Sequence, residues 1–186
     1  MLKSGLRLKA DKCKSYRCKN LIVVLENPKT IENVGSTIRN LDAFGVEKLY
    51  IVDGNKLLPD NWEDMRDRPS LNKISASAIK WKYVKVFKNS IDCIKYLDNK
   101  QFVSIVTSPH IKGKNNVVLD DGKYTQKKLA VWFGNESRGV SDIAIDNSTF
   151  CVNIPMYGII ESINLGTCTG IVLYEITKQR RNFNKS

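Results

Sequence analysis

Histidine is nearly absent from the 186-residue chain, long apolar runs are missing, and cysteines are few and scattered; each shortage closes off a class of function. With His110 as the lone histidine, a mechanism built on a histidine pair or a Ser-His-Asp triad has almost no material. His110 itself reads as a loop or pocket-wall residue rather than a catalyst. No apolar stretch approaches the ~18 residues of a membrane span, and the basic first twenty residues lack the apolar core of a signal peptide. The protein is therefore expected to stay in the cytoplasm, away from membranes. The five cysteines, Cys13, Cys18, Cys93, Cys151 and Cys168, are odd in number and form no C-x-x-C pair. They read as reduced thiols, with neither a disulfide framework nor a metal site implied. No G-x-G-x-x-G follows the first apolar strand and no Walker A sequence occurs, so an ordinary dinucleotide or nucleoside triphosphate site is unsupported.

What the chain does have is positive charge at its ends. The formal net charge is +11. Residues 1–20 carry seven basic side chains, Lys3, Arg7, Lys9, Lys12, Lys14, Arg17 and Lys19, against Asp11 alone, and residues 178–186 add Lys178, Arg180, Arg181 and Lys185 with no acid. The segment between is almost neutral. Basic arms of this kind fit a polyanion, because each phosphate neutralised releases condensed counterions. Solvated tails that only keep the protein soluble are the other reading.

Hydrophobic residues at 42% and charged residues at 26% place the chain among globular proteins, and its length suits one domain. Short β-branched runs at 21–25, 49–52, 83–87, 102–106, 129–133 and 150–154 alternate with helical stretches, which predicts an α/β fold with a mainly parallel sheet. Helices are expected at 34–44 with Asn33 as N-cap and Gly45 as a left-handed C-cap, at 92–100 after Ser90, and at 162–180. Gly166 and Gly170 lie four apart in the last helix and leave a face open to close backbone approach. Its second half, Ile171, Val172, Leu173, Tyr174 and Ile176, is apolar on nearly all sides and should be buried, against another subunit or within the chain.

In a parallel sheet, ligands bind beyond the carboxyl ends of the strands, and three loops there carry unusual residues. The first runs from Glu26-Asn27-Pro28-Lys29 through Asn33 and Gly35 to Arg39. Gly35 and Arg39 share a helix face, so the arginine's planar fork is suited to a phosphate and Gly35 to a nearby RNA backbone; Arg39 capping a loop carbonyl, or pairing with Asp42 or Glu47, is the alternative. The second is Gly134-Asn135-Glu136-Ser137-Arg138-Gly139, a tight loop presenting a carboxylate, or simply a turn into a Ser141-capped helix. The third spans Pro155 to Asn164, with Ser162 and Asn164 opening the last helix as ligand donors or, for Ser162, as no more than a cap.

In this order the three clusters resemble the three motifs of the SpoU/TrmH family of RNA 2′-O-ribose methyltransferases: Asn33-x-Gly35-x-x-x-Arg39, the run from Phe133 to Ser141, and the run from Ile154 to Leu165. The resemblance covers about residues 20–180. It implies a SPOUT fold, α/β with a mainly parallel sheet flanked by helices and a C-terminal deep trefoil knot, comprising residues 21–177 between a basic extension (1–20) and a basic tail (178–186). It also implies S-adenosylmethionine as cofactor, held around Thr107, Gly134, Glu136, Ile154 and Leu165. Arg39 would be the central catalytic residue, with Asn33, Ser162 and Asn164 completing the shell. Lys9, Lys12, Lys14, Arg17, Lys19, Arg138, Arg180 and Arg181 would contact RNA, and a homodimer would set one subunit's arginine against the other's cofactor. Gly166, Thr167 and Cys168 after Leu165 depart from the commoner family pattern, small residue for small residue. The short basic ends and the form of the third motif look most like members that methylate a D-loop guanosine of tRNA. The anticodon wobble position, ribosomal RNA and a silent RNA-binding module are the other readings.

Overall fold

The computed structural model describes residues 5–183 except Asp60, Trp62 and Lys114, and excludes the side chains of residues 6, 7, 9 and 10. The chain runs α1 (Gly5–Cys13), β1 (Cys18–Glu26), α2 (Ile31–Ala43), β2 (Val46–Val52), α3 (Glu63–Arg66), α4 (Pro69–Ile74), β3 (Tyr83–Phe87), α5 (Ser90–Asn99), β4 (Val103–Thr107), β5 (Asn116–Val118), β6 (Leu129–Phe133), α6 (Asp142–Asp146), β7 (Cys151–Asn153) and α7 (Leu165–Phe183). Every described strand pairing is parallel, in the order β3-β2-β1-β6-β4-β7-β5. The six predicted strands are present; β5, three residues in a polar setting, is invisible to pattern.

A parallel sheet is covered on both faces, which is why β1 reads as a continuous apolar run rather than an alternation. Leu21, Val23 and Leu25 join Ile38 and Leu41 of α2 and Val172, Leu173 and Ile176 of α7 on one face. Ile22 and Val24 join Cys93 and Leu97 of α5 and Ala144 of α6 on the other. The apolar second half of α7 is thus buried largely within its own chain, leaving Ile171 and Tyr174 exposed.

Helix starts differ from expectation in an instructive way. Thr30, not Asn33, caps α2, its hydroxyl accepting from the Asn33 amide at 3.2 Å; this releases the Asn33 side chain for contacts elsewhere. Asn89 caps α5 through the Asp92 amide at 2.9 Å. Helix α7 begins at Leu165 rather than Ser162, because the Asn164 carboxamide oxygen accepts from the Gly166 amide at 2.7 Å. It then continues through residue 178 to Phe183 without a break, and β1 already begins at Cys18, so no element ends at either expected domain boundary. Gly45 adopts the left-handed conformation expected of it, with φ of +74°, a region that penalises a Cβ.

Two glycines decide how α2 is packed. A Cβ on Gly166 would lie 2.9 Å from the Ser36 Cβ, so α7 and α2 meet almost backbone to backbone. A Cβ on Gly35 would lie 2.7 Å from Ile74 Cγ2, so Gly35 admits α4 rather than the RNA backbone that its position suggests in sequence. Among the described residues no helix is long and apolar enough to cross a membrane. Gly35→Ala is expected to cost about 1–3 kcal/mol through overpacking of the α2–α4 seam, read as a lower midpoint in denaturant unfolding; an unchanged midpoint would show that the seam yields freely.

Candidate functional site

Because the strands are parallel, the loops after β1, β4, β6 and β7 emerge on one edge of the sheet. The loop after β6 folds on itself around Asn135, whose backbone exchanges hydrogen bonds with Gly139 at 3.0 and 2.8 Å. Its side-chain oxygen accepts from the amides of Ser137 and Arg138, and its Nδ2 donates to the Asn27 carbonyl at 2.6 Å. Gly134 is required by this closure: a Cβ there would sit 2.0 Å from the Gly139 carbonyl carbon. Behind the loop, the buried Glu26 carboxylate accepts from the Ser141 amide at 2.7 Å, the Ser141 hydroxyl at 2.6 Å and the Ser90 hydroxyl. A carboxylate taken out of water needs several such donors. Ser141 also caps α6, as predicted.

The three motifs meet in one relay. Asn33 Nδ2 donates to Glu136 Oε1 at 2.5 Å, and Asn33 Oδ1 accepts from Asn164 Nδ2 at 3.1 Å. The second Glu136 oxygen accepts from the Lys29 amide at 2.9 Å, while Lys29 Nζ donates to the Ser137 hydroxyl. Glu136 therefore fastens loops together as well as facing the cavity beside it. Glu26, Lys29 and Asn135 lie inside the clusters singled out by sequence, but no pattern announces their fastening role.

That cavity, of about 530 Å³, is walled by all five residues expected around a cofactor, Thr107, Gly134, Glu136, Ile154 and Leu165, and also by Arg138, Ser162 and Asn164. His110 forms part of its wall. Its volume falls within the ~300–1,000 Å³ range of small-molecule sites. Phe133, Val152, Ile154, Ile163 and Leu165 supply an apolar bed, and Ser108, Asn135, Glu136, Glu161 and Ser162 supply polar groups. This combination fits S-adenosylmethionine, a flat purine joined to a ribose and an amino acid. The Thr107 hydroxyl is turned away from the cavity's polar groups, donating to the Trp132 carbonyl at 2.9 Å. Cys168 also borders the cavity, and burial pushes its thiol up to about 11.

Arg39 is not in this wall. It lies exposed in an adjoining cavity of about 770 Å³ with Ser36, Asn40, Ser70, Lys73 and Thr167. Asn164 borders both cavities. Neither alternative acid engages Arg39: Asp42 pairs with the buried Lys82 at 2.7 Å and Glu47 pairs with Arg17 at 2.7 Å.

The basic residues expected on RNA divide into two groups. Lys12, Lys19 and Arg138 are exposed, and Lys14 is exposed but 2.6 Å from Asp11. Three arginines instead hold the fold. Arg17 is tied to Glu47, Arg180 donates to the carbonyls of Tyr124 and Gln126 at 2.9 and 2.6 Å, and Arg181 donates to the Phe44 carbonyl and the Thr177 hydroxyl. Burial lowers the pKa of Arg180. The side chains of Arg7 and Lys9 lie outside the described residues, as do Lys3 and Lys185 altogether.

The relay predicts its own sensitivity. Asn33→Asp keeps the shape but sets two carboxylates against each other, which raises the pKa of the pair. The variant should be about 1–2 kcal/mol less stable than wild type at pH 8, with the gap narrowing as pH falls below about 5 and the pair takes up a proton. Denaturant unfolding at the two pH values checks this, and equal stability at pH 8 would remove Asn33 from the relay.

Comparison with known proteins bears on the same residues. The model of the SpoU rRNA Methylase family matches residues 20–174. The tRNA (guanosine(18)-2′-O)-methyltransferase of Aquifex aeolicus is 30% identical over 167 residues, covering 88% of this chain and 72% of that protein. The protein of the same name from Thermus thermophilus is 28% identical over 161 residues, covering 87% and 76%. The crystal structure of the A. aeolicus TrmH/SpoU tRNA modifying enzyme matches with a TM-score of 0.77 at 27% identity, over 96% of this chain and 86% of that one. A match over most of the length, on a chain whose three motif loops are joined by one hydrogen-bond relay, means that this protein belongs to the SpoU rRNA methylase family and is an S-adenosylmethionine-dependent RNA 2′-O-methyltransferase.

Proposed function

We propose that the RNA is tRNA and that the methylated group is the 2′-hydroxyl of the D-loop guanosine at position 18, the activity named for the relatives from A. aeolicus and T. thermophilus. The observation that carries the reading of the site is Asn164: one side chain borders both the cofactor-sized cavity and the groove that holds Arg39. A ribose seated there would have a cofactor on one side and a guanidinium on the other. A tRNA substrate puts the enzyme in the cytoplasm.

The cofactor supplies an electrophilic methyl group on a sulfonium, so the chain's task is positioning and exclusion of water. The apolar bed offers a surface on which the purine can stack away from water. Carrying a guanidinium, a group that is not an ordinary general base, Arg39 does not take the hydroxyl proton. It instead orients the neighbouring phosphate and stabilises charge developing on the acceptor oxygen, while Asn33, Ser162 and Asn164 complete the hydrogen-bonding shell. Asn33 and Asn164 are held for this by each other and by Glu136. Cys168, with its thiol pushed up to about 11, stays neutral and does not compete as a nucleophile.

The reading includes a homodimer and a trefoil knot. Exposed Ile171 and Tyr174 on α7 support the dimer. The wedging of β7 between β4 and β5, just before the loop that walls the cavity, supports a threaded C-terminal segment.

Incubation with total tRNA and methyl-labelled cofactor, followed by mapping of the 2′-O-methylated nucleotide, tests the substrate; label at another position, or none, would overturn the assignment. Arg39→Ala should lose at least about 100-fold in turnover with cofactor affinity by calorimetry kept within about twofold, and near-wild-type turnover would refute the role. Light scattering should give twice the 21.1 kDa chain mass. Mixing inactive Arg39→Ala with inactive Ile154→Arg should restore activity if the arginine acts across subunits, and no recovery would confine the site to one chain.

A further inference from the structure

The groove that holds Arg39 contains a second free cation, contributed by a helix that belongs to none of the three motifs. We propose that Lys73 of α4 binds an RNA phosphate beside the one held by Arg39, so that the two residues form a two-cation seat for the backbone flanking the methylated ribose. This rests on the RNA methyltransferase reading above.

Three observations lead to it. First, Lys73 and Arg39 are both exposed, both line the same 770 Å³ cavity, and neither has a carboxylate partner among the described residues. No acid is among the residues lining that cavity. Lys14, Arg17, Arg66, Lys82 and Lys178, by contrast, each have a carboxylate oxygen within 3.1 Å. Second, α4 is anchored rather than loosely apposed. Leu71 is fully buried, and Ile74 and Leu71 occupy the space that a Cβ on Gly35 would need, which sets α4 directly against the helix that carries Arg39. The end of α4 is tied down by the Ser77 amide donating to the Asn72 carbonyl at 2.7 Å. Third, three hydroxyl-bearing residues, Ser36, Ser70 and Thr167, are among those that line the same cavity. Cations with hydroxyl donors between them are the usual partners of phosphodiester oxygens, which fix register rather than read sequence.

The test is tRNA binding and methylation by the full-length enzyme across a salt series, comparing wild type with Lys73→Ala, Lys73→Glu, Lys73→Arg and, as a control for total charge, Lys95→Ala on the opposite sheet face. Losing one phosphate contact should lower the slope of log K against log salt by about one and weaken low-salt binding about fivefold. The Michaelis constant for tRNA should rise in step while kcat at saturating tRNA changes less than about twofold. Lys73→Arg should restore both values, Lys73→Glu should exceed Lys73→Ala in effect, and Lys95→Ala should leave the slope near wild type. Wild-type affinity and slope in Lys73→Glu, with wild-type enzyme active on tRNA, overturn this proposal alone. Wild-type enzyme that neither binds nor methylates RNA overturns the functional reading, and this proposal with it.

Discussion

The site depends on a single carboxamide. Asn33 donates to Glu136 and accepts from Asn164, so one side chain joins loops that leave three different strands. Loops lose conformational entropy for every residue they order, and the cavity walled by the loops after β4, β6 and β7 is only as defined as the contacts that register them. Both ends of Asn33 are used, one toward a charged acceptor, where a hydrogen bond is worth about 1.5–3 kcal/mol. Asn164 passes the constraint on to the start of α7 by capping it. The first turn of the longest helix is thereby registered against the loops around the cofactor cavity.

A second tier of contacts makes that relay possible. Buried Glu26 collects Ser90 and Ser141 from the starts of α5 and α6, and Asn135 and Lys29 fasten the β6 loop to the end of β1. On the other side of the relay, glycine does the spacing. Gly166 lets α7 settle onto α2, and Gly35 lets α4 settle beside it. The result is two cavities that share Asn164 in their linings, the first with an apolar bed, the second with two cations and no acid.

Formal charge overstates the surface available to RNA. Arg17, Arg180 and Arg181 are engaged with Glu47, with backbone carbonyls and with Thr177, in the manner of a planar fork that closes chain ends. Cations without internal partners matter more than the total, and Arg39 and Lys73 are of that kind.

Much is legible in the residues themselves. Continuous apolar runs such as 21–25 declare parallel strands, because a strand buried on both faces needs no alternation. Ser141 and Gly45 declare local backbone events that neighbours do not alter. All five residues expected around a cofactor line a single cavity, since loops at the ends of parallel strands must emerge on one edge. Asn33 and Ser162 look like caps in sequence and are not, because an N-cap is chosen by competition among nearby side chains, and Thr30 and Asn164 have the better geometry. What Gly35 admits, which arginines stay free, and that α4 sets Lys73 beside Arg39 are decided only by tertiary structure. Each depends on groups 30 or more positions apart in the chain, and contact at that separation is a property of packing, which no local pattern encodes.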